Sequence, residues 1–362
     1  MKKIMLICLA LLLPSFAVAQ SPDAFTSILQ REMQRQHIPA LSVLVFKGDR
    51  ILFEATLGQA NIAENIALAP SHPFLLASMS KTVTATALLQ LYDAGKFALD
   101  DPINAYLPFP VHIPDSRRDI TFRMLLTHTA AIADGPALDE QYYNGTDSPV
   151  ALGSFLQSYL TPNGTYYDDY DNFYGYAPGE DYTYSNTGYA LIGLLVERIS
   201  GQDFSRYSLR HIFQPLGMGH TSWHLRGLSG RIVQPYDYAR GGYRAIQHYT
   251  FTDYPNGGLR STARDMHRFL SALMKGRVVS PATLAQMASS QIPAIDREVG
   301  LGLFLMNRRL GLWGHNGGEK GVATIMAFNP STGVGAIILA NQGEAELDSL
   351  LAKAYRVGLS GG

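Results

Sequence analysis

The chain has 362 residues, enough for one large domain or two ordinary ones, and 46% of them are hydrophobic against 16% charged, the composition of a globular protein with a sizeable core. Its 29 basic and 30 acidic residues leave a net charge of −1, so nothing in the charge points to nucleic acid or an anionic membrane surface. A polar substrate is not excluded by so small a charge.

The first segment reads as a secretory signal peptide. Lys2 and Lys3 precede an apolar run from Ile4 to Leu13, and Ala17-Val18-Ala19 fits the small-residue cleavage pattern. Cleavage near Ala19 is expected, with export to the periplasm or the medium; the apolar run is short for a membrane span. Twenty-seven basic against thirty acidic residues then remain, a net charge of −3. The single cysteine, Cys8, lies in this segment, so the mature protein is expected to hold no disulfide, thiol nucleophile or cysteine metal ligand.

Residues 23–37 have the pattern of a helix. Leu41–Phe46 and Ile51–Ala55 read as strands joined by the turn Lys47-Gly48-Asp49-Arg50. The middle of the chain is mainly helical, clearest from Thr187 to Ser200, with Gly201 as the stop. Strands return at 299–306, 309–315, 322–329 and 333–341, and a last helix is expected near 344–358. Strands at both ends with helices between predict an α+β fold: an antiparallel sheet from about 20–77 and 265–362, flanked by terminal helices, with a helical region of about 78–264 inserted. An active site then falls in the crevice between the two parts.

Three short motifs carry chemistry. Ser78-Met79-Ser80-Lys81 places a hydroxyl and an amine three residues apart at the start of an apolar helical stretch. Positions i and i+3 share a helix face, so Lys81 can take the proton of Ser78, which is a weak nucleophile alone. Tyr184-Ser185-Asn186 follows Pro178-Gly179 on a tight connection; Tyr184 can relay a proton and Asn186 can hydrogen-bond a substrate amide. His315-Asn316-Gly317 lies on a strand edge, where His315 supplies a polar or cationic group and Gly317 and Gly318 let a substrate backbone approach. The N–H of Gly318 can pair with that of Ser78 around a developing oxyanion. Each piece also has an ordinary reading: a polar turn at a helix start, a cap with a packing ring, a structural histidine.

These three motifs in this order resemble the serine β-lactamase and penicillin-binding protein superfamily, in its class C-like serine hydrolase branch. That branch uses Tyr-x-Asn second and Lys-Thr-Gly or His-x-Gly third. Leu125-Leu126-Thr127-His128-Thr129, Pro215-Leu216-Gly217-Met218 and Gly257-Gly258-Leu259-Arg260-Ser261-Thr262-Ala263 also match, so the resemblance covers nearly the whole mature chain. It implies a β-lactamase/transpeptidase-like fold and an acyl-enzyme on Ser78, with Lys81 as base, Tyr184 as proton relay, and Asn186, His315, Gly317 and Gly318 binding substrate. The third motif departs from the Lys-Thr-Gly of antibiotic-destroying enzymes, and its His form resembles D-Ala-D-Ala carboxypeptidases, D-amino-acid peptidases and esterases. A D-amino-acid peptide of cell-wall type is the favoured substrate, ahead of an esterase or weak β-lactamase activity. From another class, a penicillin-binding sensor with slow turnover is the alternative.

The remaining features are weighed on their residues. His128 reads as a hydrogen-bonded core histidine. Ten of the twenty tyrosines fall between Tyr142 and Tyr184, which suggests a loop over the cleft. Asp168, Asp169 and Asp171 lack the spacing of a calcium loop, and His220 with His224 has no third zinc ligand in sight. No metal, no cofactor and no partner beyond a small-molecule or peptide substrate is expected, and the oligomeric state is left open. No Gly-x-Ser-x-Gly is present, which argues against a nucleophile-elbow hydrolase.

Overall fold

The sheet is built from both ends of the chain. In the computed structural model, which describes residues 22–228 and 230–360, β1 (Ala40–Lys47), β2 (Arg50–Asn61) and β3 (Ile66–Ala67) come from the N-terminal side. β4 (Phe304–Asn307), β5 (Leu312–Glu319), β6 (Val322–Phe328) and β7 (Val334–Ala340) come from the C-terminal side. Their order is β4-β5-β6-β7-β1-β2-β3, antiparallel throughout, with the two ends joined where Val43 faces Ile338 and Leu44 faces Ile337. The expected signal peptide, Met1–Ala19, lies outside the described residues.

β1 and β7 are apolar on consecutive residues because both faces of the sheet are covered. The period-two alternation of a strand then divides their side chains. Val43, Val45 and Ile338 pack with Phe25 and Leu29 of α1 (Pro22–Arg35) and with Leu350 and Leu351 of the C-terminal helix. Leu44, Phe46, Ile337 and Leu339 face the other core, shared with the inserted region. The terminal helices thus cover one face, and the inserted region covers the other together with the helix Ala263–Met274, which runs beyond the expected 78–264 boundary.

Two helices of the insert position the site. α2 (Ser80–Asp93) is buried on all sides from Ser80 to Leu89, which is why its sequence lacks an amphipathic stripe there. Its hydroxyls bond to loops around it: Thr82 Oγ1 to Gly302 O at 3.0 Å and Thr84 Oγ1 to Pro255 O at 2.6 Å. α3 (Asn186–Ser200) starts on Ser185, whose hydroxyl accepts from Gly188 N, and stops at Gly201 with φ +69°. α4 (Ala263–Met274) packs on β1 and β7, and α5 (Asp348–Ser360) covers the opposite face.

Several expected boundaries move. The run 299–306 is a strand only from Phe304, because Val299–Leu303 crosses α2, where a Cβ on Gly302 would lie 2.3 Å from that of Ala85. The run 309–315 begins its strand at Leu312, after a turn through Gly311 at φ +58°, and continues to Glu319. The insert also holds short two-stranded ladders, among them Tyr142–Asn144 with Tyr249–Phe251. Among the described residues no helix is long and apolar enough to cross a membrane.

Candidate active site

Ser78 sits on a turn held in an unusual conformation. Ala77, the residue before it, has φ +49°, a left-handed backbone that costs a non-glycine residue roughly 1–2 kcal/mol. Neighbours on both sides fix it. Leu76 N donates to Leu259 O at 2.8 Å, Thr324 Oγ1 on β6 donates to Leu76 O at 2.7 Å, and the Ser80 hydroxyl accepts from Leu259 N at 3.2 Å. The result leaves Ser78 partly exposed at the mouth of a cleft while Met79, Ser80 and Lys81 are buried.

Lys81 Nζ lies 3.1 Å from Ser78 Oγ, 2.7 Å from Asn186 Oδ1 and 2.9 Å from Asn256 O. It also stands 4.7 Å above the Tyr184 ring. Burial pushes its ammonium down to about 7, against the opposing pull of Asp134, Asp253 and Glu319. About half of it is then neutral at pH 7, and a neutral amine at this distance can take the serine proton.

Tyr184 is fixed by its neighbours in sequence and by stacking. Its ring lies 4.3 Å from that of His128, and Ser185 N donates to His128 Nδ1 at 3.0 Å. Burial pushes the phenol well above its usual range, with the Ser78 hydroxyl offsetting part of the rise, so the group is protonated at neutral pH. Its Oη is buried, with the Ser78 hydroxyl beside it and no hydrogen bond in good geometry among the described residues. His128 is 2% exposed and held neutral by burial and by the Lys81 charge, which makes it the core histidine the sequence suggested.

Asn186 opens α3. Its Oδ1 is committed to Lys81, its backbone N donates to Asp134 Oδ2 at 2.8 Å, and its Nδ2 has no protein partner among the described residues. On β5, Gly317 approaches the serine turn so closely that a Cβ there would lie 2.4 Å from Leu76 O and 3.0 Å from Ser78 N. Gly318 instead lines the cavity, with open space where its Cβ would be. The two glycines therefore differ: Gly317 allows the protein to pack on itself, and Gly318 faces the space a substrate would fill.

Ser78, Asn186 and Gly318 line a cavity of about 250 Å³, while Lys81, Tyr184 and Gly317 are not part of its lining. A profile of the family described as Beta-lactamase matches residues 25–358. The chain belongs to the Beta-lactamase family. It is 28% identical over 309 residues to penicillin-binding protein 4* of Bacillus subtilis (strain 168), covering 79% of this chain and 64% of that one. It is 21% identical over 327 residues to protein flp of Staphylococcus aureus (strain MW2), covering 89% and 63%. The chain thus spans less than two thirds of the length of these curated relatives. Among solved structures, a penicillin-binding protein of Bacillus halodurans superposes with a TM-score of 0.73 at 26% identity, covering 90% of this chain and 98% of that one. A D-amino acid amidase of Ochrobactrum anthropi SV3 superposes with a TM-score of 0.73 at 24% identity, covering 94% and 98%. The family match and these superpositions establish a β-lactamase/transpeptidase-like fold.

Within the Beta-lactamase frame, two expectations from the sequence change. His315 is not a cation: it is 1% exposed on the inner face of β5, and burial with the nearby Lys81 charge pushes it down to about 3. It is a neutral ring, 5.1 Å from Phe304 and 6.3 Å from Tyr184, with Nδ1 on Asn316 O and Nε2 buried without a partner among the described residues. The tyrosine-rich stretch does not cover the cleft either. Tyr142 alone of its ten tyrosines lines the cavity, Tyr166, Tyr167, Tyr174 and Tyr176 pack against the core, and Tyr170 is 91% exposed. No grouping of His, Cys, Asp or Glu among the described residues is placed to hold a metal ion.

Sequence reasoning missed the acidic side of the cavity: Asp134, Asp253 and Glu319, with Asn256 completing the Lys81 site through its carbonyl. One local signal was available. Asp253-Tyr254-Pro255-Asn256 is a turn-forming run directly before the stretch from Gly257 that resembles the family.

Proposed function

We propose that this protein is an exported serine hydrolase that forms an acyl-enzyme on Ser78 and acts on amides or esters of D-amino-acid type. The observation that carries it is Lys81 Nζ at 3.1 Å from Ser78 Oγ, with burial bringing the amine to about 7. In the first step Ser78 Oγ bonds to the carbonyl carbon and its proton passes to Lys81. As the tetrahedral adduct collapses, the bond to the leaving group breaks. Tyr184 gives its proton to a leaving amine and regains one from Lys81. Water then attacks the ester, releasing the acid and the serine. Ser78 N–H and Gly318 N–H are assigned to the oxyanion in both halves.

Amides and amine-terminal peptides rank here above D-Ala-D-Ala carboxypeptidase substrates. No Lys or Arg lines the cavity among the described residues, and His315 is neutral, so a terminal carboxylate has no obvious counter-charge. The fold shared with a D-amino acid amidase is compatible with that ranking. Export rests on the Met1–Ala19 pattern.

Intact mass of the purified protein after exposure to a penicillin and to a p-nitrophenyl ester, beside Ser78→Ala, tests the assignment. A Ser78-dependent acyl adduct or turnover is expected, and turnover unaffected by Ser78→Ala would overturn it. A penicilloyl adduct that persists without product would instead favour the slow-turnover sensor.

A further inference from the structure

The charged lining of the cavity has one sign. Asp134, Asp139, Asp253 and Glu319 face it, and they come from three distant stretches of the chain. None of them forms an ion pair with a Lys, Arg or His among the described residues. Three are held by neutral donors, Asp253 by the Asn256 side chain. Asp134 accepts from the N–H groups of Asn186 and Thr187 and from the Thr187 hydroxyl, and Glu319 accepts from Tyr142 Oη and from Lys320 N. The Lys320 ammonium lies 3.6 Å from the Tyr142 ring centroid, is exposed, and does not line the cavity.

Asp253 is the informative member. It is 5% exposed yet opens into the cavity, and its one side-chain hydrogen bond is from Asn256 Nδ2 at 2.6 Å, which leaves the second oxygen without a side-chain donor. Burial, then the Asp134 and Glu319 charges, push its carboxyl up to about 7 against the pull of its own backbone N–H and of Lys81. A buried carboxylate without a counter-ion is unfavourable and takes a proton unless a cation joins it. The nearest ammonium, Lys81, is taken up by Ser78, Asn186 and Asn256. The acidic groups are not placed to hold a metal ion. The remaining source of a cation is the molecule that fills the cavity.

We propose that Asp134, Asp253 and Glu319 bind a primary ammonium carried by the acyl donor, so that the site selects acyl donors with a free amine over N-acylated or uncharged ones. An α-amino group is the first source of that ammonium and a side-chain amine the second. The inference rests on the reading of Ser78 as the acylated residue.

The test compares kcat/KM on four p-nitroanilides: D-alanyl, N-acetyl-D-alanyl, propionyl and N-acetyl-D-lysyl. p-Nitrophenyl acetate serves as the control for acylation itself, with Ser78→Ala as its blank. The expected result is a preference of at least 10-fold for D-alanyl over both propionyl and N-acetyl-D-alanyl. That preference should fall several-fold or more in each of Asp253→Asn and Glu319→Gln, whose fold is checked by circular dichroism and by residual p-nitrophenyl acetate turnover. A matching preference for N-acetyl-D-lysyl would keep the ammonium and move its source to a side chain. Turnover of the propionyl and N-acetyl-D-alanyl substrates equal to or better than that of both amine-bearing ones, or a preference unchanged in both variants, would overturn the inference while leaving Ser78 in place. Absence of Ser78-dependent p-nitrophenyl acetate turnover would overturn the underlying reading instead.

Discussion

Lowering the pH should switch off acylation through Lys81, and the sign of the effect can be worked from its surroundings. The base is the neutral amine, so the rate follows the deprotonated fraction. With burial bringing the group from 10.5 to about 7, that fraction at pH 7 is ~10³ times that of an ordinary lysine. Below 7 the rate should fall with unit slope, reaching ~3% of its plateau at pH 5.5. The groups facing Lys81 are Asp134, Asp253, Glu319, His128, His315, Tyr184 and Tyr189. Both histidines are held neutral through this range and Tyr184 is held protonated, so none of these supplies the limb. Asp253, at about 7, does titrate there, and the two groups are coupled. Asp253→Asn separates them. Removing a negative charge that favours the ammonium should move the limb to lower pH, whereas a limb owned by Asp253 should vanish. The assay is kcat/KM for p-nitrophenyl acetate, an uncharged substrate, from pH 5 to 9 at constant ionic strength. A rate flat to pH 5, or a limb that rises in Asp253→Asn, would refute the assignment of Lys81 as the base.

Tyr184→Phe should cost ~10²–10⁴ in kcat on an amide, which needs its leaving nitrogen protonated, and far less on a p-nitrophenyl ester. Equal losses on the two substrates would remove Tyr184 from leaving-group protonation. Gly317→Ala should lower both kcat/KM, by ~10² or more, and Tm, because the new Cβ would meet Leu76 O at 2.4 Å and displace the serine turn. Gly318→Ala, with nothing within 4 Å of its Cβ, should leave Tm unchanged, and thermal melts of the pair check the contrast.

The parts of the molecule that were legible in the sequence are those set by local chemistry. Ser78 and Lys81 meet because i and i+3 share a helix face, and α3 is bounded by a serine cap and a glycine stop that the residues announce. β6 and β7 are continuous apolar runs between turns, so they fall within a residue or so of where they were expected. What failed depended on tertiary placement. Val299–Leu303 has the residues of a strand but is bent across α2 by its glycines. His315 has the composition of a cation, and only its burial beside Lys81 shows that it is neutral. The acidic wall was invisible because Asp134, Asp253 and Glu319 are far apart in a chain whose overall charge is nearly balanced.

That wall also explains why Lys81 titrates near neutrality. Burial alone would drive the amine lower and leave a weaker base; Asp134, Asp253 and Glu319 pull in the opposite direction. The balance holds Lys81 where it is substantially neutral and still basic, the compromise that proton transfer favours. A substrate ammonium bound to the same carboxylates would cancel part of their pull, so that Lys81 gives up its proton more readily once the amine is seated. The consequence is directional. For an amine-bearing substrate the acid limb of kcat, which reports the bound enzyme, should lie at lower pH than that of kcat/KM, which reports the free one. For p-nitrophenyl acetate the two limbs should coincide. Paired pH profiles on D-alanyl p-nitroanilide and p-nitrophenyl acetate decide it, and coincident limbs on both would mean that the wall sets the resting state of Lys81 without transmitting the arrival of the substrate.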